Sequence, residues 1–252
     1  MFRNIKIAGL CLASMLVMGM ALAGNASAAE LLWLVCLEGS GLTKYESSTC
    51  LKASGTGKWQ SLGVRAGQEI TVKLLPLSIL LIDNESPVGK VAIRCWDNSG
   101  QRGEGVIKSK GEGEIRVAEV TNPNTNCNDE EGRCTKILKV KAVGLPWITN
   151  IEKGENGEPL TTIKPHPEGE QPGWEVECEV LLVKSKDVCT SVAGKEEKLK
   201  LVNAFSATEL LVLALFENAH KASCTASKKE SGEVKGTIAI LLPGGALSVN
   251  RE

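Results

Sequence analysis

Histidine is almost missing from this chain: 252 residues hold two, His166 and His220. Neither lies at ligand spacing from a pair of cysteines, and there is no Cys-x-x-Cys, so the usual zinc patterns are excluded. A serine or cysteine nucleophile would have to borrow one of these two histidines, and no Gly-x-Ser-x-Gly is present. His166 sits between Pro165 and Pro167, and His220 falls on an alternating segment with Ala222 and Cys224. Aromatic residues are also scarce at 4%, with one Tyr, three Phe and five Trp, which is poor equipment for stacking sugars. An excess of basic charge is lacking too, with 29 Lys and Arg against 30 Asp and Glu. That balance excludes nucleic acid or an anionic membrane as the main partner, since both need a basic surface. Beyond the N-terminal segment no apolar run reaches the ~18 residues of a membrane-spanning helix.

The N-terminus carries Arg3 and Lys6, then an uncharged apolar run from Ile7 to Ala23, then Ala26-Ser27-Ala28. That order is a signal peptide over residues 1–28, with cleavage before Ala29. Cys11 lies inside the apolar run, where a lipid-modified cysteine does not belong. Loss of Arg3 and Lys6 leaves 27 basic residues against 30 acidic ones, a formal charge of −3. The expectation is a protein that is secreted or held at the cell surface, with no membrane span after cleavage.

Eight cysteines remain: Cys36, Cys50, Cys95, Cys127, Cys134, Cys178, Cys189 and Cys224. An even number in an exported chain reads as four disulfides, although eight cysteines allow ~105 connectivities. Local spacing pairs Cys36 with Cys50, Cys127 with Cys134 and Cys178 with Cys189, leaving Cys95 for Cys224. Oxidised cysteines are not nucleophiles, which removes the remaining route to a Cys/His enzyme.

Residues 29–66 form a small Cys/Trp module that must lean on the rest, because it is too short to bury a core alone. Residues 67–252 form the main domain. There the hydrophobic period is two: Ile70, Val72 and Leu74 alternate with Thr71 and Lys73, and Val91, Ile93 and Cys95 share a face. Trp174, Val176, Cys178 and Val180 point one way, with Cys178 toward the core. Glu175, Glu177 and Glu179 point the other way, as a solvated face. Residues 205–219 fit either a helix, with Ser206 and Glu209 as a capping box, or a buried strand through Leu210 to Phe216. The strand is favoured by its neighbours. About ten short strands at regular spacing indicate an all-β, antiparallel barrel or sandwich stabilised by disulfides. Cys95 and Cys224 are each followed by a Gly-Glu-rich turn, an echo that would bring them together if two β units were equivalent.

Paired carboxylates could support hydrolysis, and Glu175, Glu177 and Glu179, with Glu168 and Glu170 nearby, are the candidates. The acidic loop Asn128 to Glu131 could hold calcium but departs from the usual loop spacing. Gly103-x-Gly105 precedes a strand rather than a helix, so it is no phosphate cradle. Trp96, Trp147 and Trp174 read as core or loop anchors. Residues 134–178, rich in Trp, Pro and Glu, read as a long excursion between two Cys-bearing strands. Their mobile part, Glu152 to Gln171, is the place for a functional surface.

Several pieces recur together: Leu32-Trp33-Leu34-Val35-Cys36, Tyr45-x4-Cys50, Val91-x3-Cys95 and Gly144-Leu145-Pro146-Trp147. Pro172-Gly173-Trp174-x3-Cys178, Val188-Cys189-Thr190, Cys224 and Gly232-Glu233-Val234-Lys235-Gly236 complete the set. This combination resembles an uncharacterised family of secreted, Cys/Trp-containing β proteins of soil actinobacteria of the Thermoleophilia type. The resemblance covers nearly the whole mature chain and implies secretion and a disulfide-bonded β fold. It implies no activity and no site residues. The sequence therefore points to a non-catalytic structural or interaction module with no catalytic, cofactor-binding or metal residues and no cofactor. Cell-envelope or secreted components are its expected partners. The alternatives are a barrel-type binder of a small apolar or glycan ligand, and a carboxylate-based hydrolase.

Overall fold

A computed structural model describes residues 33–39, 44–47, 50, 54–96, 101–109, 111–193, 197–205, 210–243 and 246–249. Of these, 72–78, 101, 197, 205, 210 and 217–220 are described by backbone alone. The signal segment at residues 1–28 and the capping-box pair Ser206 and Glu209 lie outside the described residues, as does the side chain of His220.

Strands dominate, as the alternating pattern requires. The chain begins with β1 (Trp33–Glu38), β2 (Trp59–Gly63), the long β3 (Gln68–Asp83), β4 (Val91–Cys95), β5 (Gln101–Ile107) and β6 (Glu112–Val120). One helical turn, α1 (Pro123–Asn126), precedes β7 (Cys127–Asp129), β8 (Lys136–Val143), β9 (Trp147–Lys153), β10 (Pro159–Pro165) and β11 (Gly173–Val180). The last five are β12 (Val183–Ser191), β13 (Glu197–Phe205), β14 (Leu210–Cys224), β15 (Lys229–Leu241) and β16 (Ala246–Val249). The favoured strand over the Leu210–Phe216 run is thus observed. All pairings are antiparallel, and thirteen strands join one sheet.

That sheet closes on itself. The first half of β3 pairs with β5, β5 with β6, and the first half of β6 with β9. β9 pairs with β10, β10 with β13, and β13 with the first half of β14. The second half of β15 then links β14 back to β3, which completes a ring. The other halves of the long strands leave the ring and build an open lobe. Its order is β7, β4, β3, β15, β14, β12, β11, β8 and the end of β6. Ring and lobe are therefore one fabric, sharing β3, β14 and β15. Strands of this length bend where the ladder slips, as it does between Phe216 and His220 and between Gly236 and Ile238. Gly236, at φ 133°, takes a conformation open only to glycine.

Ile107 and Leu199 are fully buried in the ring and Ile238 nearly so. β16, β1 and β2 form a separate three-stranded sheet. Trp33 from β1 is 2% exposed and reaches into the ring's interior beside Ile70, Ile107 and Leu199. Asn203 fastens this sheet to the ring: its amide donates to the Val249 carbonyl and accepts from the Val249 N–H, both at 2.8 Å. The opening segment is thus woven into the main core.

The disulfides correct the expected connectivity. Cys36–Cys50 forms as local spacing indicates. The other three bonds are Cys95–Cys127, Cys134–Cys178 and Cys189–Cys224, in place of Cys127–Cys134, Cys178–Cys189 and Cys95–Cys224. The reason is lateral proximity in a sheet. Cys95 lies directly opposite Cys127 on β4 and β7, and Cys189 directly opposite Cys224 on β12 and β14. Cys127 and Cys134 are instead separated by a turn gathered around Asp129, whose carboxylate accepts from the amides of Ala92, Glu131, Arg133 and Cys134. The Cys95–Cys224 echo thus does not bring those residues together.

The long excursion is corrected too. Residues 134–178 include β9 and β10, a hairpin of the ring, and Cys134 and Cys178 bond to each other. Within Glu152 to Gln171 the structure places the end of β9, all of β10 and the turns beside them.

Candidate functional site

The open lobe curls around a small apolar cleft of about 40 Å³. Its walls follow from strand alternation: Leu81 from β3, Val91 and Ile93 from β4, and Trp174, Val176 and Val180 from β11 all face inward. Antiparallel order brings three connections to one end of the lobe: the turn after β3, the β14–β15 turn and the β11–β12 hairpin. Behind Trp174 lies a second apolar space of about 40 Å³. Trp147, Phe216 and Ala222 line it, and it shares Trp174, Cys189 and Val234 with the first. Trp174 thus stands between the two spaces.

Two carboxyl groups interrupt the apolar wall. Asp83 ends β3 in the inward phase of Ile79 and Leu81, and Asp187 follows Ser185 on the inward face of β12. Asp83 is 3% exposed. Its Oδ1 accepts from the Ser231 hydroxyl at 2.5 Å and from the Glu85 amide at 3.0 Å. Asp187 Oδ1 accepts from the Ala226 amide at 2.9 Å and from the Thr225 hydroxyl at 3.2 Å. The remaining oxygen of Asp83, Oδ2, is buried, and no neutral or cationic group among the described residues donates to it. Its hydrogen-bonding neighbour is the Asp187 carboxyl, which can donate only while it holds a proton. Burial first, and the charge of Asp83 second, raise the Asp187 pKa above the ordinary aspartate value.

This pair was not singled out in the sequence. In sequence Asp83 opens the turn-rich Asp83-Asn84-Glu85-Ser86-Pro87. The usable signal was phase: each aspartate occupies the inward position of an alternating strand, where an apolar residue is the rule.

The carboxylates expected to be candidates lie elsewhere. Glu175, Glu177 and Glu179 face away from the cleft, on the outer side of β11. They form the middle row of a charge ladder, with Glu177 opposite Lys139 of β8 and Lys186 of β12. The expected solvated face is only partly so, because Glu175 is 5% exposed. The Lys139 and Lys186 ammonium groups close over it at 2.8 and 2.9 Å. The Lys139 ammonium, helped by Lys186, holds its pKa down to about 2 against the opposing effect of burial. A carboxylate so fully neutralised is structural.

The acidic loop is likewise occupied. Both oxygens of Asp129 receive backbone amides, while Glu130 pairs with Arg94 and Glu131 with Lys90 at 2.7 Å. Asp187, Cys189 and Cys224 converge closely, but the two sulfurs are bonded to each other and cannot act as thiolate ligands. His166 serves its own turn, where its Nδ1 accepts from the Glu168 amide at 3.4 Å. Gly105 lies in β5, and a Cβ there would come within 2.6 Å of the Glu114 carbonyl. It is a packing glycine. Trp147 and Trp174 are core residues, as expected.

Comparison with known proteins returns no match among family models, curated proteins or solved structures.

Proposed function

We propose that this chain is an exported, non-catalytic binding protein that works outside the cell or at its surface and holds a small apolar ligand in the cleft of its open lobe. The observation that carries this reading is the apolar lining of that cleft by Trp174, Val176 and Val234. Four disulfides stabilise the fold and fit an oxidising compartment.

Titration with a neutral apolar fluorophore, N-phenyl-1-naphthylamine, tests it. Saturable binding with quenching of tryptophan emission is expected, and Val176→Phe, which fills the cleft, should abolish it. A folded wild-type protein that gives no saturable signal would overturn the reading.

The neighbouring Asp83 and Asp187 favour a second reading, a carboxylate-based hydrolase, since two carboxyls in different surroundings can act as acid and base. Hydrolysis of acyl or glycosyl substrates that disappears in Asp187→Asn would support it over binding alone.

A further inference from the structure

We propose that the tip of the β11–β12 hairpin is a lipid-docking element, in which Leu181, Leu182 and Val183 enter the interface of an anionic lipid surface while lysines beside them meet its phosphates. The proposal stands apart from the ligand held in the cleft, and neither reading needs the other.

Two observations carry it. The first is hydrocarbon left bare. Leu181, Leu182 and Val183 are 84%, 92% and 67% exposed, in one run at the end of the hairpin. Val88, which lines the cleft with Val180, adds a further exposed apolar side chain on the turn after β3. Single exposed leucines need no explanation, whereas a contiguous apolar tip marks an interaction surface. The backbone sharpens the point. Leu181 and Leu182 both have positive φ, where a two-residue turn favours asparagine followed by glycine. Side chains so exposed gain little packing inside the protein. A turn that folding alone would fill with polar residues therefore presents apolar surface to the outside.

The second is the charge beside the tip. On the outer face of the hairpin, Glu179 stands between Lys136 of β8 and Lys184 of β12. The next row repeats the arrangement, with Glu177 between Lys139 and Lys186, and Lys141 faces Glu175 in the row after. Lysines thus outnumber glutamates on this face. Lys136 and Lys184, the two nearest the tip, are exposed, and neither forms an ion pair among the described residues. The near-neutral charge of the whole chain averages over this segregation. An apolar tip with cations at its base matches an anionic interface, where buried hydrocarbon and attraction of lysine to headgroups act together. A second copy docking through the same tip would set these lysines against each other. Three side chains also offer far less than the ~1,200 Å² of a stable protein interface. Docking of this kind needs no membrane-spanning segment.

Vesicle flotation of the full-length exported protein tests it, with vesicles of phosphatidylcholine alone and of phosphatidylcholine mixed with phosphatidylglycerol. Wild type is expected to float with the mixed vesicles and to partition about 10-fold less onto phosphatidylcholine alone, with the preference lost at high salt. Leu181→Asn with Leu182→Gly keeps a two-residue turn and should lower partitioning about 10- to 100-fold. Lys136→Glu with Lys184→Glu keeps the apolar tip and should abolish the preference for the mixed vesicles. Circular dichroism confirms that each variant is folded, and if the leucine variant is not, Leu182→Ser alone takes its place with a smaller loss expected. Wild type that floats with neither vesicle, or floats as well after the leucines are replaced, would overturn the assignment. A dimer in sedimentation velocity that the leucine variant dissolves would also overturn it, by giving the tip to a second copy. Fluorophore binding in the cleft is read separately, so failure of either proposal leaves the other standing.

Discussion

The indole rings of Trp147 and Trp174 stand at 80° to one another with their centroids 5.7 Å apart. This edge-to-face pair lies where ring and open lobe meet, and Trp147 anchors it by donating its indole N–H to the Val143 carbonyl at 2.8 Å. Trp174→Ala should therefore merge the two apolar spaces and lower unfolding stability by about 3–5 kcal/mol. Trp174→Phe should lose less. Urea unfolding followed by far-ultraviolet circular dichroism measures both, and a loss under ~1 kcal/mol in the alanine variant would contradict the packing described.

The disulfides should differ in their worth. Cys134–Cys178 closes a sequence separation of 44 residues and Cys36–Cys50 one of 14. Loop-closure entropy assigns about 4 kcal/mol to the first and about 3 kcal/mol to the second. Alanine replacement of each pair should reproduce that order. Peptide mapping without reduction should recover Cys95 with Cys127 and Cys189 with Cys224; a Cys127–Cys134 peptide would refute the connectivity.

Acid should weaken the outer face of β11. The Glu175 pKa in the folded chain is about 2, well below the ordinary carboxylate value of 4.5. Its contribution to stability is complete above about pH 4.5 and is lost as pH falls toward 2. Lys139 and Lys186 are about half exposed, so solvent screening reduces the contribution to roughly 1–3 kcal/mol. Glu175→Gln should lower stability at pH 7 and flatten the acid limb of a pH-stability profile.

Asp187 should act in the opposite direction. Its pKa is raised, so its contribution is present at low pH and is lost as pH rises through the folded value. Asp187→Asn supplies an amide that can donate to Asp83 Oδ2. The variant should gain about 1 kcal/mol near neutral pH. Thermal unfolding at pH 4 and pH 8 separates the two, with the gain confined to the higher pH.

The β11–β12 hairpin turns through Leu181 and Leu182, which are 84% and 92% exposed. Both have positive φ, 50° and 69°, in a two-residue turn that favours asparagine followed by glycine. The double substitution Leu181→Asn with Leu182→Gly should raise stability by about 1–2 kcal/mol. An unchanged or lowered denaturation midpoint would show that the leucines are not strained there.

Strand identity was legible because alternation is local: Trp174, Val176 and Cys178 announce their face within a single short segment. Pairing partners were not. Nothing near Cys127 in sequence names Cys95 as its neighbour, since that proximity arises only when β4 and β7 lie side by side. Glu175 shows the same limit. Its outward phase was readable, but the two lysines that cover it come from β8 and β12. The aspartate pair joins positions 83 and 187, and only closure of the lobe brings them together. Local pattern fixes which way a side chain points; what it meets there depends on contacts distant in sequence.

The pairing of β1 with β16 places Trp33 opposite Val249. During synthesis the first of these strands emerges with its hydrogen-bonding edge unsatisfied, and its partner is made only after every strand of the ring. The ring can therefore trap Trp33 in its interior only once all of those strands are free, so maturation should be slow and post-translational. A nascent chain stopped before residue 246 should remain protease-sensitive, and release of β16 should act as the latch that closes the molecule.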